Sequence, residues 1–138
     1  MAVAVPHDGG VVVMTRSGAW GIIGCALVGC SPDTPDPAAR LRTIADADPV
    51  RGMALVTQFQ CGSCHEIPRV PASRGTLGPS LDAFGRRSYI AGHIPNTPTL
   101  LVSWLQDPPA MVPGTLMPAM GISADDARDM AAFLLSLE

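Results

Sequence analysis

The sequence predicts a small all-α domain whose core is filled by more than its own side chains. Helix starts with capping residues stand at Asp48-Pro49, Thr97-Pro98 and Ser123, and apolar residues at helical spacing follow the latter two. Elsewhere the chain is rich in loop formers, with 14 Gly and 14 Pro among 138 residues, which leaves room for one small domain with long connections. Three Phe, two Trp and one Tyr are a thin aromatic supply for such a core, so another apolar body must occupy its middle.

A helix from Pro49 to about Phe59 runs directly into Cys61-Gly62-Ser63-Cys64-His65. Two thiols with two residues between them, followed at once by an imidazole, have the spacing of covalent haem attachment. The sulfurs add to two vinyl groups along one haem edge and the histidine turns under the iron. Gly62 is expected to ease the tight turn. A covalently held porphyrin would supply the missing apolar volume, and a single attachment motif implies one haem. Two other readings use the same residues: a redox dithiol of the thioredoxin type, and half of a zinc site. Prolines crowd the C-terminal side and no strand–helix alternation surrounds the motif, which disfavours the dithiol. Zinc would need a further Cys or His pair, and the chain downstream offers only His93.

Beyond the motif come the loop Thr76-Leu77-Gly78-Pro79-Ser80-Leu81 and a helix capped by Thr97 with Leu101, Trp104 and Leu105 on one face, ended by Asp107-Pro108-Pro109. The segment Met111-Val112-Pro113-Gly114-Thr115-Leu116-Met117-Pro118 follows. A last helix, capped by Ser123 with Asp125 and Asp126 in its first turn, lines up Ala127, Met130, Leu134 and Leu137 beside Phe133. In this order the pieces from about Asp48 to Glu138 resemble the class I c-type cytochromes.

That resemblance implies a cytochrome c-like fold in which N- and C-terminal helices cross near Gly52 and Phe133 around a covalently attached haem c. It also implies iron ligated by His65 and Met117, a pair that raises the reduction potential relative to two imidazoles. The Pro79 carbonyl would accept a hydrogen bond from the second nitrogen of the axial histidine, fixing its tautomer. Trp104 would either hydrogen-bond a haem propionate or pack as core, and Arg86 or Arg87 would either pair with a propionate or stay solvated. Met111, Met120 and His93 are the other candidates for the sixth ligand, and Gly78-Pro79 alone would also suit a plain turn.

At the N-terminus, Arg16 precedes an apolar run from Trp20 to Cys30 that is too short to span a bilayer but has the length of a signal-peptide core. Its end, Leu27-Val28-Gly29-Cys30, resembles the lipobox of bacterial lipoproteins, so residues 1–29 are expected to be a signal peptide and Cys30 a lipidated first residue. Met14 is the more natural start. An ordinary cleaved signal peptide or a Cys25–Cys30 disulfide would use the same residues differently. Residues 30–47, with three prolines between Ser31 and Pro37, read as a tether leading to a domain at 48–138.

The formal net charge is -3, and all nine basic residues are arginine. No polybasic tract points to nucleic acid. With six iron ligands and no evident catalytic base, the expected function is electron transfer by Fe(II)/Fe(III) cycling rather than catalysis on a small-molecule substrate. The expected partners are redox proteins of a respiratory chain, between a quinol-oxidising complex and a terminal oxidase, with the domain tethered on the exported, periplasmic side of a membrane. A sensor or peroxidase-like enzyme with a dissociable methionine is the alternative. The absence of lysine weakens any docking through a positive patch, which would fall to Arg69, Arg74, Arg86 and Arg87 against Glu66 and Asp82.

Overall fold

The computed structural model describes residues 43–138; the expected signal peptide of residues 1–29, Cys30 and the tether as far as residue 42 lie outside the described residues. Residues 43–47, expected at the end of the tether, already touch the domain: Ile44 packs against the core and Arg128 donates to the Ala45 carbonyl at 2.9 Å.

Asp48 starts the first helix as its sequence requires. Its carboxylate accepts from the backbone N–H groups of Val50 (2.8 Å) and Arg51 (3.1 Å), and Pro49 has no N–H to leave unpaired. The resulting α1, Pro49–Gln58, buries Gly52, Leu55 and Val56. Thr97 caps α2, Pro98–Gln106, which buries Leu101, Trp104 and Leu105. Asp107 then does more than end α2. Its carboxylate accepts from Ala110 N–H at 3.2 Å and so opens a one-turn helix, α3, Pro108–Met111, whose leading proline again has no donor to lose. Ser123 caps α4, Ala124–Leu135, accepting from Asp126 N–H at 3.2 Å.

Among the described residues the fold is mostly helical, with a two-stranded hairpin that the all-α reading did not include. β1, Tyr89–Ile90, pairs antiparallel with β2, Ile94–Pro95, in the register Tyr89 to Pro95 and Ile90 to Ile94. Two residues per strand are too few to leave a period-2 signal in the sequence. None of the described helices is long and apolar enough to cross a membrane.

α4 packs on both α1 and α2 and carries much of the core, with Ala127, Met130 and Ala131 fully buried. The α1–α4 crossing is tighter than any side chain would permit: a Cβ on Gly52 would stand 2.0 Å from the Asp129 carbonyl oxygen. The partners of Gly52 at the crossing are therefore Asp129 and Met130. Phe133, one turn further along α4, is buried under the Arg69 guanidinium at 5.2 Å.

A polar clasp closes the same crossing. The Asp129 carboxylate accepts the Asp48 N–H at 2.8 Å and pairs with Arg51, which also pairs with Asp126. The Asp48 hydrogen bond and then the Arg51 guanidinium hold the Asp129 carboxyl below its ordinary pKa. In the loops, six non-glycine residues adopt left-handed backbone conformations: Asp46, Gln60, Arg69, Ala72, Ala83 and Ala91.

Two tests follow from the crossing. Gly52→Ala must push the helices apart and is expected to cost about 1–3 kcal/mol in urea unfolding, as overpacking does; an unchanged midpoint would mean the helices are not in backbone contact. Asp129→Asn should destabilise most at neutral pH. A carboxyl whose pKa is depressed by folding stabilises the fold above the ordinary value near about 4, and that contribution is lost as pH falls through the folded value. The difference between wild type and variant, followed by thermal unfolding against pH, is therefore expected to shrink in acid, and a constant gap would refute the carboxylate's role.

Candidate functional site

After α1, the left-handed Gln60 (φ 54°) turns the chain into a short 3-10 segment, Cys61–Ser63. The Cys61 carbonyl accepts from the N–H groups of both Cys64 (3.2 Å) and His65 (3.0 Å), which winds the motif into one compact turn. Cys61 and Cys64 are half-buried free thiols. Burial pushes the Cys61 thiol pKa up, the opposite of the activated thiolate on which a redox dithiol depends.

Gly62 is not there for the turn. Its φ is not positive, and its missing side chain makes room for Ser73, whose Oγ would stand 2.7 Å from a Cβ at this position. The loop that follows is sewn back onto the motif. Gly75 N–H donates to the Gly62 carbonyl (3.0 Å), Gly78 N–H to that of Cys64 (2.8 Å), and the Ser73 hydroxyl to that of His65 (2.9 Å).

These bonds bring the 76–81 loop against the histidine ring. His65 Nδ1 lies 2.7 Å from the Pro79 carbonyl oxygen. A carbonyl only accepts, so Nδ1 carries the proton and the neutral ring keeps its free lone pair on Nε2. Gly78 lies flat against the same ring: a Cβ there would meet Cε1 at 2.3 Å and Nδ1 at 2.6 Å. The imidazole is thus fixed in both position and tautomer.

Met117 stands at a bend in the loop after α3, half-buried and packed against the core together with Met111 and Val112; its N–H donates to Thr115 Oγ1 at 3.3 Å. Of the other candidates for the same role, Met111 shares this half-buried setting, Met120 is 43% exposed, and His93 is exposed in the hairpin turn. Trp104 is a buried member of the core cluster. Arg87 clips the loop, donating to the carbonyls of Ser80 (2.6 Å) and Asp82 (2.8 Å) and stacking on Phe84, whereas Arg86 is exposed.

Asn96, just before the Thr97 cap, ties the hairpin to the preceding turn. Its Nδ2 donates to the carbonyls of Phe84 (3.0 Å) and Arg87 (3.1 Å), and its Oδ1 is buried without a partner in the structure. Nothing local in the sequence marks such a tertiary clip. Two shallow surface clefts, one beside Arg69 and Leu137 and one beside Ile44 and Val102, include neither the motif nor Met117. No cluster of three or more His, Cys, Asp or Glu side chains among the described residues is placed to hold a metal ion.

Comparison with known proteins places this arrangement. The family model described as cytochrome c matches residues 49–138, from the first residue of α1 to the end of the chain. The chain belongs to the cytochrome c family. As a cytochrome c it is an electron-transfer protein, and the family implies a covalently bound haem. Among curated proteins it is similar to cytochrome c oxidase subunit 2 of Alkalihalophilus pseudofirmus, 32% identical over 90 residues. That alignment takes in 64% of this chain and 25% of the relative, so the chain matches about a quarter of the relative's length.

The seating of the imidazole on Gly78 is directly testable. Gly78→Ala must displace the ring and is expected to cost about 1–3 kcal/mol in urea unfolding. Thr76→Ala, exposed on the same loop, should stay within about 0.5 kcal/mol. Equal effects of the two substitutions would show that the ring is not held there.

Proposed function

We propose that this cytochrome c carries one haem, bonded through the thiols of Cys61 and Cys64 with its iron ligated by His65 and Met117, and that it passes electrons between membrane respiratory complexes such as a quinol-oxidising complex and a terminal oxidase. The observation that carries the reading is the 2.7 Å contact between His65 Nδ1 and the Pro79 carbonyl. It leaves Nε2 as the donor for iron, the outer-sphere arrangement found around metal-bound histidines.

The donor set fits a haem. Two free thiols sit one turn of chain apart, the adjacent imidazole presents a single free lone pair, and Gly78 supplies a flat floor beneath it. When bound, the haem supplies one-electron Fe(II)/Fe(III) chemistry. The residues of the chain do the rest. Cys61, set against the core, holds its sulfur in apolar surroundings, and His65 keeps a neutral tautomer. Met117 offers a soft, neutral thioether, which favours the ferrous state. The burial of Trp104 supports a packing role beside the porphyrin over a propionate hydrogen bond. Arg86, exposed, is the freer of the two arginines to pair with a propionate, because Arg87 is engaged with two carbonyls.

The similarity to an oxidase subunit supports a place next to a terminal oxidase, either as a mobile carrier or as part of its assembly. The run ending in Cys30 supports export and a lipid anchor, which would keep the domain on the periplasmic side of the membrane.

Visible spectra of the protein, co-expressed with haem-attachment machinery, test the ligand set. The ferric wild type should show the weak near-infrared absorption of sulfur-ligated haem, and Met117→Ala should lose it and admit carbon monoxide when reduced. A band that survives the substitution assigns the ligand to another methionine. A wild type that binds carbon monoxide readily supports the sensor or enzyme reading instead.

A further inference from the structure

The Pro79 carbonyl that fixes the His65 tautomer is itself held from further along the chain. A proline ring fixes φ, so the direction of that carbonyl turns on ψ of Pro79, that is, on how the Pro79–Ser80 peptide plane is rotated. The next plane, between Ser80 and Leu81, is clamped at both of its polar groups. Leu81 N–H donates to the Glu66 carbonyl at 2.7 Å, and the Ser80 carbonyl accepts from the Arg87 guanidinium at 2.6 Å. The same guanidinium nitrogen donates to the main-chain carbonyl of Asp82 at 2.8 Å. Arg87 is anchored in its turn. Its guanidinium lies over the buried Phe84 ring at 5.7 Å, and the Asn96 side-chain amide donates to its carbonyl at 3.1 Å.

We propose that Arg87 is a positioning residue for the axial histidine: by fixing the Ser80 carbonyl it fixes the peptide plane before it, and through the Pro79 carbonyl the orientation and tautomer of the His65 ring. The inference rests on the assignment of His65 to iron made above. A guanidinium suits the task, because one of its nitrogens carries two hydrogens and serves two carbonyls at once. The choice of partners points the same way. An arginine kept for solubility or docking stays solvated, as exposed Arg86 does, whereas Arg87 is half-buried and gives its donors to backbone. The hydrogen bonds then run from Asn96 to the Arg87 carbonyl, from the Arg87 guanidinium to Ser80, and across the adjoining peptide from Pro79 to the ring. Without the guanidinium the Ser80 carbonyl turns to water, the Pro79–Ser80 plane gains a rotation, and the ring proton loses its fixed acceptor for part of the time.

The test follows the His65 Nδ1 proton by NMR of the isotope-labelled imidazole, in the haem-loaded, ferrous full chain in mild detergent. A ring proton held by a fixed carbonyl exchanges with solvent only when the contact opens. Arg87→Met, which keeps the length and removes the donors, is expected to speed that exchange about tenfold. Arg87→Lys, whose ammonium has donors for both carbonyls, should bring it back to within about threefold of wild type. Arg74→Met removes an exposed positive charge at the start of the same loop and should leave it within about twofold. The near-infrared band of sulfur-ligated ferric haem should persist in all three variants, which separates a loosened histidine from general unfolding. Where Arg87→Met does not fold, Arg87→Gln, whose amide is too short to reach both carbonyls, is expected to show the same acceleration. Wild-type exchange in the folded Met or Gln variant overturns the positioning role, and propionate signals that move in that variant would give Arg87 to a haem propionate. Equal acceleration by Arg74→Met also overturns it, assigning the effect to charge alone. A wild type with no iron on His65 overturns the ligand assignment, and the role of Arg87 with it.

Discussion

Where α1 crosses α4, the missing side chain of Gly52 lets the Asp129 carbonyl approach to a distance that no Cβ would tolerate, and both halves of the site are suspended from that crossing. The C-terminal end of α1 feeds straight into Cys61. The far end of α4 holds the loops on the other side: Gly85 N–H donates to the Leu137 carbonyl at 2.7 Å, and Arg69 donates to Ser136 Oγ at 2.7 Å while covering Phe133. A shift in the crossing would therefore reach the attachment motif along the chain and its supporting loop across space. The Asp48–Asp129–Arg51 clasp adds polar contacts to the same crossing.

The site itself is held by hydrogen bonds to backbone carbonyls, two from backbone N–H groups and two from side chains. Three of them bind the 73–78 loop to the motif, and a fourth, to the Pro79 carbonyl, decides which histidine nitrogen is free. Such an arrangement presets the imidazole before any metal arrives, and a preset ligand loses little freedom on binding. It also accounts for the proline–glycine richness of the sequence. These loops lack regular structure, yet the N–H groups of Gly75 and Gly78 are both bonded to carbonyls of the motif.

Much of this could be read from the chain alone, because the signals were local. Asp48, Thr97 and Ser123 cap helices through bonds to backbone two or three residues away, so neighbouring letters suffice to see them. The attachment motif and the loop through Pro79 were legible for the same reason, and the family they point to is the one to which the chain belongs. What escaped was tertiary. Gly62 is a glycine because Ser73 arrives from another loop, not because the motif turns sharply. Arg87, read as either a propionate partner or a solvated side chain, clips the carbonyls of Ser80 and Asp82, and Asn96 clips those of Phe84 and Arg87. Asp107 looked like a stop and is also a start, since one carboxylate ends α2 and opens α3.

The left-handed residues of the loops bear on how the domain would respond to heat. Away from glycine such a conformation costs roughly 1–2 kcal/mol per residue, so the six found here, three of them alanine, sum to a cost comparable with the entire net stability of a small domain, about 5–15 kcal/mol. The connections therefore hold a reserve of stability, because glycine at Ala72, Ala83 and Ala91 would adopt the same left-handed conformation without that steric cost.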